Sequence, residues 1–195
     1  PARPLYKFGQ PANHAVFNSV MDNPLVGDER YFVRIEEKRS GRPYRGNIML
    51  EANKQYEVYI YYHNHADISL NDPAHKSIGV AREVRLSTNF PNLLNAGERG
   101  SINASLTSTT TNPPAVWSGA YITAKTDMTL HYVEGSAKIY NNWKINGRVL
   151  SINLFSYKGT FLGLNELNGI ILGGKKEFSG YVVYTIQTKA IHEHE

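Results

Sequence analysis

An all-β antiparallel β-sandwich of about 8–10 strands, preceded by an extended N-terminal arm, is the fold class that this sequence predicts. Three observations carry the prediction. Apolar and polar residues alternate at period two in segment after segment, no window of a dozen residues sustains an i, i+3, i+4, i+7 apolar stripe, and turn residues recur at short intervals. A chain of 195 residues is long enough to bury one such core without disulfides or a structural metal. Its 13 Tyr, 7 Phe and 2 Trp suit pleated, half-buried surfaces.

Residues 1–27 stand apart, with Pro1, Pro4, Pro11 and Pro24 separating short apolar pieces. Leu5, Tyr6, Phe8, Val16 and Phe17 are the residues with which such an arm would dock, either on its own sandwich or, by β-strand addition, on a neighbouring subunit. Residues 28–190 form the sandwich domain and residues 191–195 a polar tail. Within the domain, strands are expected at Tyr31 to Glu36, Tyr56 to Tyr62, Val80 to Thr88, Ser101 to Leu106, Met128 to Val133, Ala137 to Tyr140, Val149 to Phe155 and Tyr181 to Thr188. In the Tyr56 to Tyr62 strand, Val58 and Ile60 share one face and Glu57 takes the other. Asn146-Gly147 and Asn168-Gly169 are hairpin signals of the type I′ kind. Pro113 and Pro114 argue against a central strand directly after them, and only Pro91 to Ala96 is expected to hold a helical turn.

Charge narrows the partners. The formal net charge is +4 and 19% of residues are charged. The densest basic stretch, Lys38, Arg39, Arg42 and Arg45, contains Gly41 and Pro43 and reads as a solvated loop, so no nucleic-acid partner is expected. No apolar run reaches the length of a membrane-crossing helix. The chain begins at Pro1 without Met and has no cysteine, and the expectation is a processed, secreted protein at the cell surface.

Motifs for chemistry are sparse. There is no G-x-S-x-G elbow, no H-E-x-x-H helix and no thiol, and Ser136 in Glu134-Gly135-Ser136-Ala137 reads as a tight turn. Glu57, Glu83, Glu134 and Glu166 are the carboxylates that a glycoside hydrolase would have to bring together. His63 and His65 project to one strand face, with Asp67 next on that face and Asp72 in the following loop, as a transition metal would require. Calcium is the hard-cation alternative, on Asp67, Asn71 and Asp72 or on Asp22, Asp28 and Glu29. The tail His192-Glu193-His194-Glu195 is a further place for adventitious metal. Neither a resident cofactor nor catalysis is expected.

Aromatics offer the stronger lead. Tyr59, Tyr61, Trp117 and Trp143, with Tyr121 and Tyr140, exceed what alternation can hide in one core, and with Asn side chains they suit stacking on sugars or anchoring an interface.

The run Glu57-Val58-Tyr59-Ile60-Tyr61-Tyr62-His63-Asn64-His65-Ala66, then Ala81-Arg82-Glu83-Val84-Arg85-Leu86 leading to Phe90-Pro91, then Gly180-Tyr181-Val182-Val183-Tyr184-Thr185-Ile186 resembles Ig-like repeat domains of bacterial cell-wall and extracellular proteins. Gly27-Asp28-Glu29-Arg30-Tyr31-Phe32-Val33 and Gly135-Ser136-Ala137-Lys138-Ile139-Tyr140 are similar to stretches of uncharacterised secreted proteins. The resemblance implies an Ig-like sandwich in an extracellular structural or adhesive role, and brings no catalytic residue. One copy of the unit with a proline-rich arm suggests a self-assembling homo-oligomer or polymer, a subunit of a surface fibre or layer. The alternative is an adhesin or carbohydrate-binding module that meets cell-wall or surface glycans.

Overall fold

The computed structural model describes residues 3–191; Pro1, Ala2 and the His/Glu tail at 192–195 lie outside the described residues. Two β-sheets pack face to face. One contains seven strands: β1 (Val33–Glu37), β3 (Gln55–Tyr62), β12 (Gly180–Ala190), β8 (Met128–Tyr132) and β5 (Leu93–Leu94) in that order, with β9 (Lys138–Tyr140) also on β12 and β10 (Arg148–Val149) on β9. The other contains five, in the order β11 (Thr160–Phe161), β4 (Arg85–Asn89), β6 (Arg99–Thr107), β7 (Ala115–Ala124) and β2 (Asn47–Leu50). The all-β sandwich is therefore as expected. Among the described residues the strand-to-strand pairings are antiparallel except β2 on β7, which is parallel.

Alternation builds the core. Val58, Ile60 and Tyr62 of β3 and Val182, Tyr184 and Ile186 of β12 face Leu86 of β4, Ile102, Ala104 and Leu106 of β6, and Val116, Ala120 and Ile122 of β7, all buried. Tyr184 is enclosed by Phe90, Tyr132 and Phe155. Its hydroxyl meets Thr88 Oγ1 at 3.0 Å, so a polar group in the centre of the core is satisfied across the two sheets.

Four local expectations are corrected. β7 begins at Ala115, directly after Pro113 and Pro114, and lies between β6 and β2. Both prolines fall outside its ladder, so they cost no hydrogen bond. Val149 to Phe155 is not one strand: after Val149 the chain makes a 3₁₀ turn at Ile152–Phe155, capped by the Ser151 side chain, whose single buried residue Leu154 imitates alternation. Pro91 to Ala96 contains β5 and not a helical turn, while 3₁₀ turns form at Ile68–Asn71 and Pro73–His75. Gly147 and Gly169 take positive φ but Asn146 and Asn168 do not, so neither pair is a type I′ turn.

Residues 3–27 belong to the sandwich. Residues 12–18 run alongside 63–67, where β3 leaves the ladder: Ala12 N–H donates to His65 O (2.9 Å), Asn18 N–H to His63 O (3.0 Å) and His65 N–H to Val16 O (3.0 Å). Ala12, Ala15, Val16, Phe17 and Val20 are buried. Of the residues expected to form an intermolecular arm, Val16 and Phe17 are thus core residues of their own chain, Tyr6 pairs with Val20 and packs at a tilt beside His65, Phe8 packs at a tilt beside His63, and only Leu5 is exposed. The segment docks in cis, its buried side chains and these main-chain hydrogen bonds meeting their partners in the same chain.

Candidate functional site

The outward face of β3 carries Glu57, Tyr59, Tyr61 and then His63, and its two halves meet different fates. Beyond Tyr61 the face is roofed by the N-terminal segment. His63 and His65 do share one side, with rings 5.2 Å apart, and both ring nitrogens of His63 and one of His65 are already engaged. His63 Nδ1 lies 2.8 Å from Glu29 Oε2 and Nε2 lies 2.6 Å from Gly174 O, while His65 Nε2 meets Lys7 O and Gln10 O. Asp67 and Asp72 accept from the Ser69 and Ala74 N–H groups as caps of the two 3₁₀ turns. Asp22 accepts from Phe8 N–H, Asp28 pairs with Arg30, and Glu29 is fully buried against Asn23 and His63. Among the described residues no group of three or more His, Asp or Glu side chains converges as a metal set. In this structure Asp22, Asp28, Glu29, His63, Asp67 and Asp72 serve as caps or in hydrogen-bonded pairs, while His65 Nδ1 has no partner among the described residues.

The uncovered half of the face carries a row of four tyrosines. Tyr44, from the loop after β1, stacks on Tyr59 of β3 at 5.0 Å and 22°; Tyr59 stacks on Tyr181 of β12 at 5.0 Å and 28°; Tyr181 stacks on Tyr140 of β9 at 5.2 Å and 22°. Register produces the row, because Tyr61 and Tyr140 both pair with Tyr181, and Tyr59 reaches it along the diagonal. Tyr44 is fixed by donating its hydroxyl to the Glu57 carboxylate. The other three floor an open cleft of about 710 Å³. Its walls come from three connections: Leu25 and Val26 of the N-terminal segment, Asn141, Asn142 and Asn146 of the β9–β10 connection, and Lys176 and Ser179 of the turn before β12.

The wall beside β12 is rigid. Trp143 stacks on Phe178 at 5.3 Å and 15°, and its indole N–H donates to Glu177 O at 2.8 Å. Trp143 thus braces the cleft from behind and is not part of the floor. Tyr61 lines the cleft while its hydroxyl accepts from Asn23, and Trp117 lies on the opposite sheet. Of the six aromatics singled out from sequence, Tyr59, Tyr61 and Tyr140 come together, whereas Trp143 lies behind the wall and Trp117 and Tyr121 are on the other sheet. Tyr44 and Tyr181 were missed; outward alternation about Val182 points to Tyr181, whereas nothing local points to Tyr44.

The cleft lining contains no Asp, Glu or His. Glu57 lies elsewhere, bonded to Tyr44 and paired across the strands with Glu36, and Glu83, Glu134 and Glu166 are absent from the lining. Glu36 is buried and held by Arg42 and Arg45. Burial pushes its carboxyl up, but the Glu37 N–H and the two guanidinium groups outweigh that and leave it below the usual carboxylate range. Two of the four basic residues in the Lys38 to Arg45 loop are thereby neutralised locally.

Burial raises Tyr59 to about 12, with Tyr181 adding to the effect, and raises Tyr181 as well. A group that holds its proton more tightly when folded contributes stability that is present below its unfolded value near pH 10 and lost as the pH climbs through the folded value. The melting temperature should therefore hold steady to about pH 10 and fall between about pH 10 and 12, and Tyr59→Phe should shrink the fall. A midpoint that is flat across that window would contradict the burial of the row.

No protein-family model, curated protein or solved structure matches this chain.

Proposed function

We propose that this protein is a non-catalytic, extracellular glycan-binding module, and that the tyrosine row is where a saccharide chain lies. The observation that carries the reading is the continuous aromatic surface of Tyr44, Tyr59, Tyr181 and Tyr140 across four neighbouring segments. Rings stacked on one another turn their edges and hydroxyls outward, a ridge against which pyranose C–H and hydroxyl groups can lie, and amide and ammonium donors at the rim complete hydroxyl recognition. Asn142 and Lys176 lie on that rim with side chains unbonded among the described residues, and Asn146 uses only its Oδ1, accepting from Asn141 N–H. A cleft without carboxylates fits binding without hydrolysis. The resemblance to bacterial extracellular domains, the absence of cysteine and a surface rich in Asn, Ser, Thr and Tyr support the extracellular setting.

Assembly by strand addition is the weaker reading. Its donor residues Val16 and Phe17 are buried in their own fold. The sheet edges are short or covered: β5, β10 and β11 have two residues each, and Arg45 bridges Ile35 of β1.

A glycan array followed by calorimetry on the best oligosaccharide tests the proposal. Tyr181→Ala removes the centre of the row and should weaken binding about tenfold when measured well below its melting temperature, which the loss of its two ring contacts lowers. An array that stays blank, or a Tyr181→Ala protein that binds as the wild type does, would sink the reading.

A further inference from the structure

The outward face of the five-stranded sheet is a second surface, on the side of the molecule opposite the tyrosine row. None of its five strands contains an Asp or Glu, and their only charged residues are Arg85 and Arg99. Each guanidinium lies over an aromatic ring, Arg85 at 4.0 Å from the centre of Phe161 and Arg99 at 3.7 Å from that of Tyr121. Neither makes an ion pair among the described residues. Stacking holds a guanidinium flat and leaves its N–H fork outward, the geometry that meets a carboxylate bidentately.

Between the two arginines the face is flat and hydroxylated. Trp117 and Tyr121 are 58% and 46% exposed and stand about 13 Å apart along β7. Gly119 lies between them, and its missing side chain makes room for Asn103 of β6: a Cβ at Gly119 would lie 2.7 Å from Asn103 Oδ1. Asn103 donates to Asn89 Oδ1 (3.3 Å) and Ser101 Oγ (3.0 Å), so its amide is fixed across the face with Oδ1 left to accept. Ser87 and Ser105 continue the polar row beside Trp117.

We infer that this face binds a carboxylate-bearing polysaccharide, with Trp117 and Tyr121 stacking on sugar rings and Arg85 and Arg99 pairing with uronate groups. The charge spacing selects a polysaccharide over a nucleic acid. Thr107 pairs with Arg85, and Arg99 lies eight residues away from Thr107 on β6, about 27 Å along the strand. A nucleic-acid strand places one phosphate every ~3.4 Å in a duplex, far denser than two arginines can match, whereas a glycan whose uronates are separated by neutral sugars spaces its carboxylates widely and fills the interval with hydroxyls. The inference is independent of the tyrosine row, and a protein with both sites would bridge two glycan chains.

Biolayer interferometry of the full chain on hyaluronan and gellan, whose uronates are separated by neutral sugars, on methyl-esterified hyaluronan and on single-stranded oligothymidylate tests it. At least one acidic polymer should bind, and the ester should bind about tenfold more weakly. Arg99→Gln and Trp117→Ala should each weaken the acid polymer about tenfold, with Trp117→Phe restoring most of the loss and all three melting as the wild type. No binding to either acidic polymer, equal binding of acid and ester, tighter binding to oligothymidylate, or well-folded variants with undiminished affinity would each overturn the assignment.

Discussion

Replacing His63 by leucine is expected to destabilise the protein by about 3–5 kcal/mol, because it strands a carboxylate in the interior. Glu29 and His63 are 0% and 1% exposed. Gly174 O can only accept, so Nε2 of His63 carries a proton; a second proton lies between Nδ1 and Glu29 Oε2 across 2.8 Å. Glu29 also accepts from Asn23 Nδ2 at 2.7 Å and from Val20 N–H at 3.2 Å. Three stretches that are remote in sequence therefore meet on one pair: the N-terminal segment, the end of β3 and the turn before β12. For a domain of this size a loss of that magnitude corresponds to a fall of about 10 °C in melting temperature. The double variant Glu29→Gln, His63→Gln should recover most of it, since no net charge is then left buried. Equilibrium urea unfolding decides the matter: a loss below about 1 kcal/mol for His63→Leu, or a double variant worse than the single one, would show that the pair does not hold the segments together.

The sandwich is legible in the sequence because burial on one face of a strand imposes period two, which Tyr56 to Ile60 displays, while the central strand, buried without a break from Val182 to Ile186, reads as a mostly apolar run. What depends on partners far along the chain is not legible. His63 and His65 do share a face, as alternation requires, yet the partner that decides the role of His63 is Glu29, 34 residues earlier. Tyr59 and Tyr181 meet only because β12 lies antiparallel to β3 in one register. Asn18 and Asn64 look like ordinary turn residues, but both are buried hubs. Asn64 accepts from Val16 and Ala66 N–H and donates to Gly79 O and Ile171 O, satisfying the backbone where the first segment docks. The prolines of residues 1–27 suggest a detached arm for a reason that is physically sound, since proline cannot serve a ladder. Here Pro4, Pro11 and Pro24 fall at positions outside the paired residues, and the stretch between Pro11 and Pro24 is free to bury Ala15, Val16, Phe17 and Val20.

That docking leads to the opposite expectation from a removable arm: a chain lacking residues 1–22 should fail to fold cooperatively, not persist as a trimmed sandwich. The deletion removes Phe17, whose truncation alone costs about 3–5 kcal/mol in a packed core, together with Val16, Val20, Ala12 and Ala15. It also strips hydrogen-bond partners from His63 and His65 N–H and from the carbonyls of Tyr61, His63 and His65, in a region that the fold otherwise keeps dry. Glu29 and His63 would lose their roof in the same step. Losses of this size exceed the 5–15 kcal/mol that holds a typical domain. Circular dichroism should show no cooperative melt, and limited proteolysis should degrade the sandwich. Adding a peptide of residues 1–22 in excess should restore part of the melt, because the groove beside 63–67 is complementary to it. A truncated chain that melts within a few degrees of the intact one would mean that the segment is an appendage after all. If the peptide fails to rescue a truncated chain that does not fold, the docking must be established early in folding, and a slower refolding rate for Phe17→Ala would be the sign of that.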